Sequence, residues 1–134
     1  MATLYVARSA ALSDWAADVG LSKFIFKVGV TDEPIKARIA VGWAGLSDWT
    51  LVKQAPADDL SEEAVIERLA GKLKMIDPNL YPRIKGERGL FKVTPSQVEN
   101  HILISRALAD EASDGPLKLK PADFGAFLLH NAKR

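Results

Sequence analysis

Cysteine is absent from this 134-residue chain, which excludes disulfides, thiolate metal sites and a cysteine nucleophile. Histidine is scarce: only His101 and His130 occur, too few for a histidine-rich metal site. No apolar run approaches the ~18 residues that a membrane-spanning helix needs, so no membrane association is expected. The opening residues, MATLYVARSAAL, lack a basic start followed by a long apolar segment. No secretory signal is therefore expected, and an intracellular, cytoplasmic location is the default. Nor does either charge dominate, with 18 basic against 17 acidic side chains and a net charge of +1. Proteins that hold nucleic acid mainly by neutralising phosphates carry a clearer basic excess or a basic face. Any such role here must rest on a local patch. The remaining composition, 48% hydrophobic and 26% charged, suits one domain long enough to bury a core.

The most informative stretch is FIFKVGVTDEPIKARIA, residues 24–40. Phe24-Ile25-Phe26-Lys27-Val28 has the β-branched and aromatic content of a strand. Gly29 interrupts it, marking a bulge, a turn or a place where another group approaches the backbone closely. Thr31 or Asp32 suits a helix N-cap, Pro34 its first turn, and Glu33 the positive end of the dipole. The unit reads strand, glycine turn, helix.

Around it, residues 3–7 form a short strand with Leu4 and Val6 on one face and Tyr5 on the other. Leu12, Trp15, Ala16 and Val19 are spaced as one helix face within residues 9–21, with Ser9 or Ser13 as cap and Trp15 as packing anchor. The helix after Pro34 should end near Gly42. A loop over residues 43–49 then carries Trp43 and Trp49, residues suited either to stacking on bases or to covering a core. Residues 50–54 read as a third strand. Asp59 with Glu62 fits a capping arrangement for a helix from Leu60 to about Met75, whose stripe is Val65, Ile66, Leu69, Leu73 and Ile76. Of its acidic residues only Glu62 shares that stripe. Asp77-Pro78 breaks the helix. Arg83, Lys85, Arg88 and Lys92, interrupted by Glu87 alone among acids, form the best basic cluster. Thr94-Pro95 opens a helix whose apolar face is Val98, Ile102, Ser105 and Leu108, with His101 and Ile104 beside it. A loop over 111–115, an extended piece over 116–120 and a last helix from Pro121, with stripe Phe124, Phe127, Leu128 and Ala132, complete the chain. His101 and His130 read as packed or surface helix residues.

Lys27-Val28-Gly29-Val30-Thr31 with Pro34 resembles the "KIG-x-T-x-x-P" signature of the phage-type branch of the GIY-YIG nuclease superfamily. Leu4-Tyr5-Val6 resembles that superfamily's first strand, and Gly89-Leu90-Phe91-Lys92-Val93 its closing "E-W-F-x-V" segment, with Gly89 in place of the acid and Leu90 in place of the tryptophan. The similarity covers about two thirds of the chain, from Leu4 to Val93. It implies an α/β (α+β) fold with a small three-stranded antiparallel sheet flanked by helices over residues 1–94, interrupted by a helical insertion at about 9–21. Residues 95–134 would then be a helical extension packed on the same domain. It also implies metal-assisted phosphodiester cleavage of DNA, with Mg²⁺ or Mn²⁺ as cofactor. Carried over, Tyr5 matches the first tyrosine, Lys27 stands at the second, and Glu62 matches the metal-binding glutamate, with Ile66 where histidine is frequent. The family arginine falls at Ala37, and Arg38 follows one residue, a ~100° rotation, later. Two classes of function follow: a divalent-metal-dependent endonuclease using Tyr5, Lys27, Arg38 and Glu62, or a noncatalytic module. The module would bind nucleic acid or a protein partner through Trp43, Trp49, Arg83, Lys85, Arg88 and Lys92. Self-association through the C-terminal helix is the blander alternative.

Overall fold

The computed structural model describes residues 2–21, 23–57, 59–108 and 119–133. Their backbone follows the order β1 (Thr3–Ser9), α1 (Ala10–Asp18), β2 (Ile25–Thr31), α2 (Ile35–Val41), β3 (Trp49–Pro56) and α3 (Glu62–Ala70). It continues with β4 (Lys74–Met75), a 3₁₀ turn (Pro82–Ile84), β5 (Leu90–Lys92), α4 (Pro95–Leu108) and α5 (Pro121–Ala132). The result is mixed α/β, with a five-stranded antiparallel sheet in the order β3-β1-β2-β5-β4. Two strands more than expected are present. β5 pairs with β2, and the two-residue β4 extends the edge by pairing Lys74 with Lys92 and Met75 with Phe91.

Side chains alternate across the sheet, and each set is buried by different helices. Leu4, Val6, Phe26, Val28 and Phe91 pack with Val65, Ile66 and Leu69 of α3 and with Phe124, Phe127 and Leu128 of α5. Tyr5, Ala7, Ile25 and Leu90 pack on the other face with Leu12 and Ala16 of α1 and with Trp43, Trp49 and Ile84. The expected split of Leu4 and Val6 from Tyr5 is therefore the division between the two cores. The stripe expected in α5 is the buried one. In α1 Leu12 and Ala16 are buried, and the partly buried Trp15 packs edge-on against Tyr81 with ring centres 5.7 Å apart, but Val19 lies past the end of the helix and is exposed.

Several boundaries differ from the sequence reading. β2 runs straight through Gly29, which pairs with Tyr5 in regular register, so Gly29 makes no turn. α2 has Pro34 as its N-cap with no side-chain cap; Thr31 Oγ1 instead accepts from the Glu33 N–H at 3.1 Å. α3 is shorter than expected. Ser61, not Asp59, caps it by accepting from the Ala64 N–H at 3.2 Å, and the helix stops at Ala70 before Gly71. Leu73 and Ile76 are buried as expected, but from the β4 segment and its flank. Ser9 is the α1 cap, and its hydroxyl donates to Asp48, which also accepts from the Ala11 N–H. Those bonds, that of Ser9 first, hold the Asp48 carboxyl below its ordinary range. Thr94 and Gln97 form a reciprocal capping pair at the start of α4, as the Thr94-Pro95 pattern predicts. In α4 Val98 is buried and Ile102 is partly buried against the same core, whereas Ile104 is exposed. The side chains of Ser105 and Leu108, the loop over 111–115 and residues 116–118 of the extended piece lie outside the described residues.

Candidate functional site

The site forms where the middle of β1 crosses the middle of β2. Tyr5 and Gly29 are directly opposed, and Gly29 has no side chain to hold the tyrosine ring off the sheet. A Cβ at Gly29 would collide with the Tyr5 hydroxyl and with Glu62 Oε1, and would lie 2.8 Å from Tyr5 Cζ. The phenol oxygen and the carboxylate therefore meet over the same backbone position. Close approach is the reason for glycine here. Glu62 reaches this point because it is the first residue of α3, whose following turns pack on β2; its Oε1 accepts from the Val30 N–H at 3.3 Å.

Lys27 lies two residues before Gly29 on the same face of β2. It is 2% exposed, and its Nζ pairs with Glu87 at 3.0 Å and donates to the Arg88 carbonyl. Burial pushes the ammonium below its ordinary pKa, while Glu87 and then Glu62 act against that shift. Gly89 closes the region from β5. Its φ of +84° is left-handed, and a Cβ there would lie 2.7 Å from the Val28 carbonyl and 3.0 Å from Lys27 Nζ. A hollow of about 280 Å³ opens here, lined by Lys27, Glu62, Glu63, Ile66, Glu87 and Arg88. A larger one, about 520 Å³, lies toward the opposite end of β1 and β2 between Arg8, Lys23, Phe24 and Phe124, apart from this chemistry.

The displaced arginine returns to the site. Arg38 is half-buried, its guanidinium 4.6 Å from the centre of the Trp43 ring, and Nη1 donates to the Gly42 carbonyl at 3.3 Å. Trp43 in turn stacks on Tyr5, with ring centres 5.3 Å apart and planes 21° from parallel. Burial raises the Tyr5 hydroxyl above the ordinary tyrosine range, the Glu62 charge adds to the rise, and Arg38 opposes it. At neutral pH the group is a phenol. Tyr5, Lys27, Arg38 and Glu62 are thus brought together on one side of the sheet.

The six residues expected to contact nucleic acid are not one surface. Trp43 and Trp49 are 3% and 5% exposed, packed edge-to-face 5.1 Å apart, so neither ring is open for a base to stack on. Their position covers the core. Arg83 donates to the Ala44 carbonyl at 3.2 Å, and Lys85 lies against Gly45, so both brace the turn carrying Trp43. Arg88 borders the hollow beside Lys27 and Glu62. Lys92 is opposite Ile25 and Lys74, toward the far end of β2.

Two contributors were not evident from sequence. Glu87 stood out only as an acid interrupting a basic run, and the sole signal for its role is that a buried lysine needs a countercharge from somewhere. Trp43 was marked for its flat face, whereas its buried indole N–H makes no hydrogen bond among the described residues. That N–H nevertheless lies near enough to the Tyr5 hydroxyl to favour the phenolate slightly.

A divalent ion fits this donor set in one particular way. Among the described residues no group of three or more acidic or histidine side chains is placed to cage a metal. The hollow is lined by three carboxylates, of which Glu87 is paired with Lys27, Glu63 is exposed beside Glu62, and Glu62 alone lies against the Tyr5 hydroxyl over Gly29. Mg²⁺ commonly binds through one or two carboxylates, retained waters and the substrate's own phosphate, and one carboxylate suits that mode. No protein-family model, no curated protein and no solved structure matches this chain.

Proposed function

We propose that this cleft hydrolyses phosphodiester bonds in DNA with a divalent ion held on Glu62, in the manner of the GIY-YIG nucleases that residues 4–93 resemble. The observation carrying the reading is the meeting of the Tyr5 hydroxyl and the Glu62 carboxylate over Gly29, with Lys27 and Arg38 beside them. Bound there, Mg²⁺ or Mn²⁺ supplies polarisation of a phosphate oxygen and neutralises developing charge. Tyr5, a phenol at neutral pH, holds the attacking water by its oxygen and relays a proton. Arg38 offers its guanidinium to the non-bridging oxygens, already ordered by the Trp43 ring. Lys27, locked by Glu87 and the Arg88 carbonyl, adds fixed positive charge at the base of the cleft.

The test is nicking of supercoiled DNA in Mg²⁺ or Mn²⁺. Wild type should nick it, and Glu62→Gln should lose about a hundredfold or more of the rate. Nicking that survives Glu62→Gln would remove the glutamate from its role, and absence of nicking by wild type would end the hydrolase reading. A noncatalytic DNA-binding module is the second reading, favoured by Gly89 and Leu90 where the motif has an acid and a tryptophan. It requires metal-independent binding that falls with salt and weakens when Arg83, Lys85 and Arg88 are neutralised.

A further inference from the structure

His101 and His130 are the chain's only histidines, and the fold brings them together from different helices. His101 lies in the middle of α4 and His130 in the last turn of α5, with ring centres 4.9 Å apart and planes tilted by 51°. His101 is half-buried and meets Phe127 edge-on, ring centres 5.6 Å apart, which holds its ring against α5. His130 is exposed, so an ion from solvent can reach the pair. Phe127 belongs to the core closed by α3 and α5, whereas Tyr5 belongs to the other. The pair is therefore apart from the cleft, and this inference does not rest on the hydrolase reading.

Packing accounts for His101 on Phe127 but not for a second imidazole beside it. Neighbouring imidazoles offer two nitrogen donors of the kind that Zn²⁺, Ni²⁺ and Cu²⁺ take, and that hard, oxygen-seeking Mg²⁺ does not. Two imidazoles on one tetrahedral ion, with metal–nitrogen bonds of about 2.0–2.1 Å, hold their ring centres about 5 Å apart. His101 and His130 already stand at that spacing, so turning the rings suffices and neither helix need move. The last turn of α5 is also that helix's negative pole, where a cation is favoured; Arg68 and Lys72 already donate to carbonyls there. We infer that His101 and His130 form a two-histidine site for a late divalent metal ion of the Zn²⁺, Ni²⁺ and Cu²⁺ class, with water completing the coordination. The ion clips α4 to α5. Among the described residues α4 meets the other elements chiefly through α5, with Val98 and Ile102 in the shared core and Leu103 and Ile104 exposed. A bridging ion adds a tie where apolar packing is thin.

The experiment is a ¹H–¹³C NMR titration of the histidine rings of the full chain with Zn²⁺ near neutral pH. Only two imidazoles need be followed. Both should shift together and saturate at one ion per chain, and Mg²⁺ should move neither. Acidification should release the ion, because a protonated imidazole is no ligand. His101→Gln and His130→Gln should each weaken zinc binding about tenfold or more, since either leaves one donor without its linked second. Zinc at about a hundred times its dissociation constant should raise the wild-type folding equilibrium constant about a hundredfold, and far less in either variant. The wild-type titration is decisive even where a variant folds poorly. A shift of one ring alone, equal zinc affinity in either variant, or no shift up to about 1 mM zinc overturns the inference. Glu62→Gln separates this site from the cleft. It should leave both ring shifts unchanged, and their loss in that variant would place the ion at Glu62 and overturn the clip.

Discussion

Gly29 occupies the middle of a β-strand, where glycine normally weakens pairing and packs nothing. Here the missing side chain is what lets Tyr5 and Glu62 approach each other. Gly29→Ala should destabilise the fold by about 1–3 kcal/mol through overpacking and abolish the cleft's activity. Gly20→Ala is the control: its φ of +80° is strained for alanine, but nothing lies within 4 Å, so it should lose stability and no activity. Chemical denaturation alongside nicking separates the two. Lys27 and Glu87 make a second residue-scale prediction. Glu87→Gln removes the charge facing a buried ammonium; because Glu87 is partly in water and Lys27 keeps the Arg88 carbonyl, the cost should be about 1–3 kcal/mol near neutral pH. Burial already holds the Lys27 pKa below its ordinary 10.5, so the unfolded chain binds the extra proton between the two values and stability rises with pH there. Losing Glu87 lowers the folded value further and widens that window downward. The deficit of the variant should therefore shrink as pH approaches 10.5, where the lysine is neutral in both folded proteins. Tyr5 acts with the opposite sign, since its raised value makes the fold lose stability above 10.0, but it is common to both proteins. Denaturant titrations at several pH values measure the difference, and a deficit independent of pH would mean that the pair is not electrostatic. Tyr5, Lys27, Arg38 and Glu62 were legible as candidates only through the resemblance of Leu4-Tyr5-Val6 and of Lys27-Val28-Gly29 with Pro34 to the GIY-YIG motif, and Arg38 only as the neighbour of the position where that motif has its arginine. Glu87 was not, because its partner is distant in sequence and a salt bridge across that span leaves no local pattern.

Helices with continuous stripes were read well, and short or composite elements were not. Phe124, Phe127, Leu128 and Ala132 are spaced as one face and are buried as one face. Leu73 and Ile76 prolong the spacing of Val65, Ile66 and Leu69, so the sequence extends α3 through a turn into β4. Residues buried from a helix and residues buried from the next strand obey the same spacing rule over so short a distance. A two-residue strand such as β4 has no periodicity at all. Cap choice was ambiguous for a related reason, because Asp59 and Ser61 both precede an acidic first turn, and only the backbone selects between them. Ser61 matters for function because it fixes the turn that presents Glu62. Ser61→Ala should cost about 1 kcal/mol of stability. It should also lower metal-dependent nicking by more than the folded fraction explains, since the carboxylate then sits on a frayed end. Equal losses in folded fraction and in rate would show that the cap supports the helix alone.

Across the molecule the sheet separates two tasks. One face carries Tyr5, Lys27 and Gly29 under the Trp43 turn, and the other carries the larger apolar core closed by α3 and α5. α5 docks by stacking Phe124 on Phe24 and Phe26, with ring centres 5.0 and 5.3 Å apart, and by seating Gly125 against Val52 and Lys53. Its C-terminal carbonyls are met by Arg68 of α3, which donates to Ala132 at 2.9 Å, and by Lys72 just past the end of α3, which donates to Asn131 at 3.2 Å. The helix that holds Glu62 at one end is thus braced by α5 toward the other. If the division is functional, damage to the α5 face should lower stability and leave the chemistry of the surviving folded molecules intact. Phe124→Ala removes a ring that is 3% exposed and should cost about 3–5 kcal/mol, a large part of a domain's net stability. Nicking measured well below the denaturation midpoint should retain the wild-type rate per folded molecule and the same metal requirement. Phe124 touches β2 through Phe24 and Phe26 at the end of the strand away from Gly29, so the void it leaves is separated from Tyr5 by the sheet itself. Arg68→Ala is the sharper comparison, because it loosens the brace on α3 while leaving the Phe124 stack in place. It should cost less stability than Phe124→Ala and more activity, through movement of Glu62. If instead Phe124→Ala abolishes nicking while the chain stays folded, the two faces are coupled, and α5 belongs to the working site.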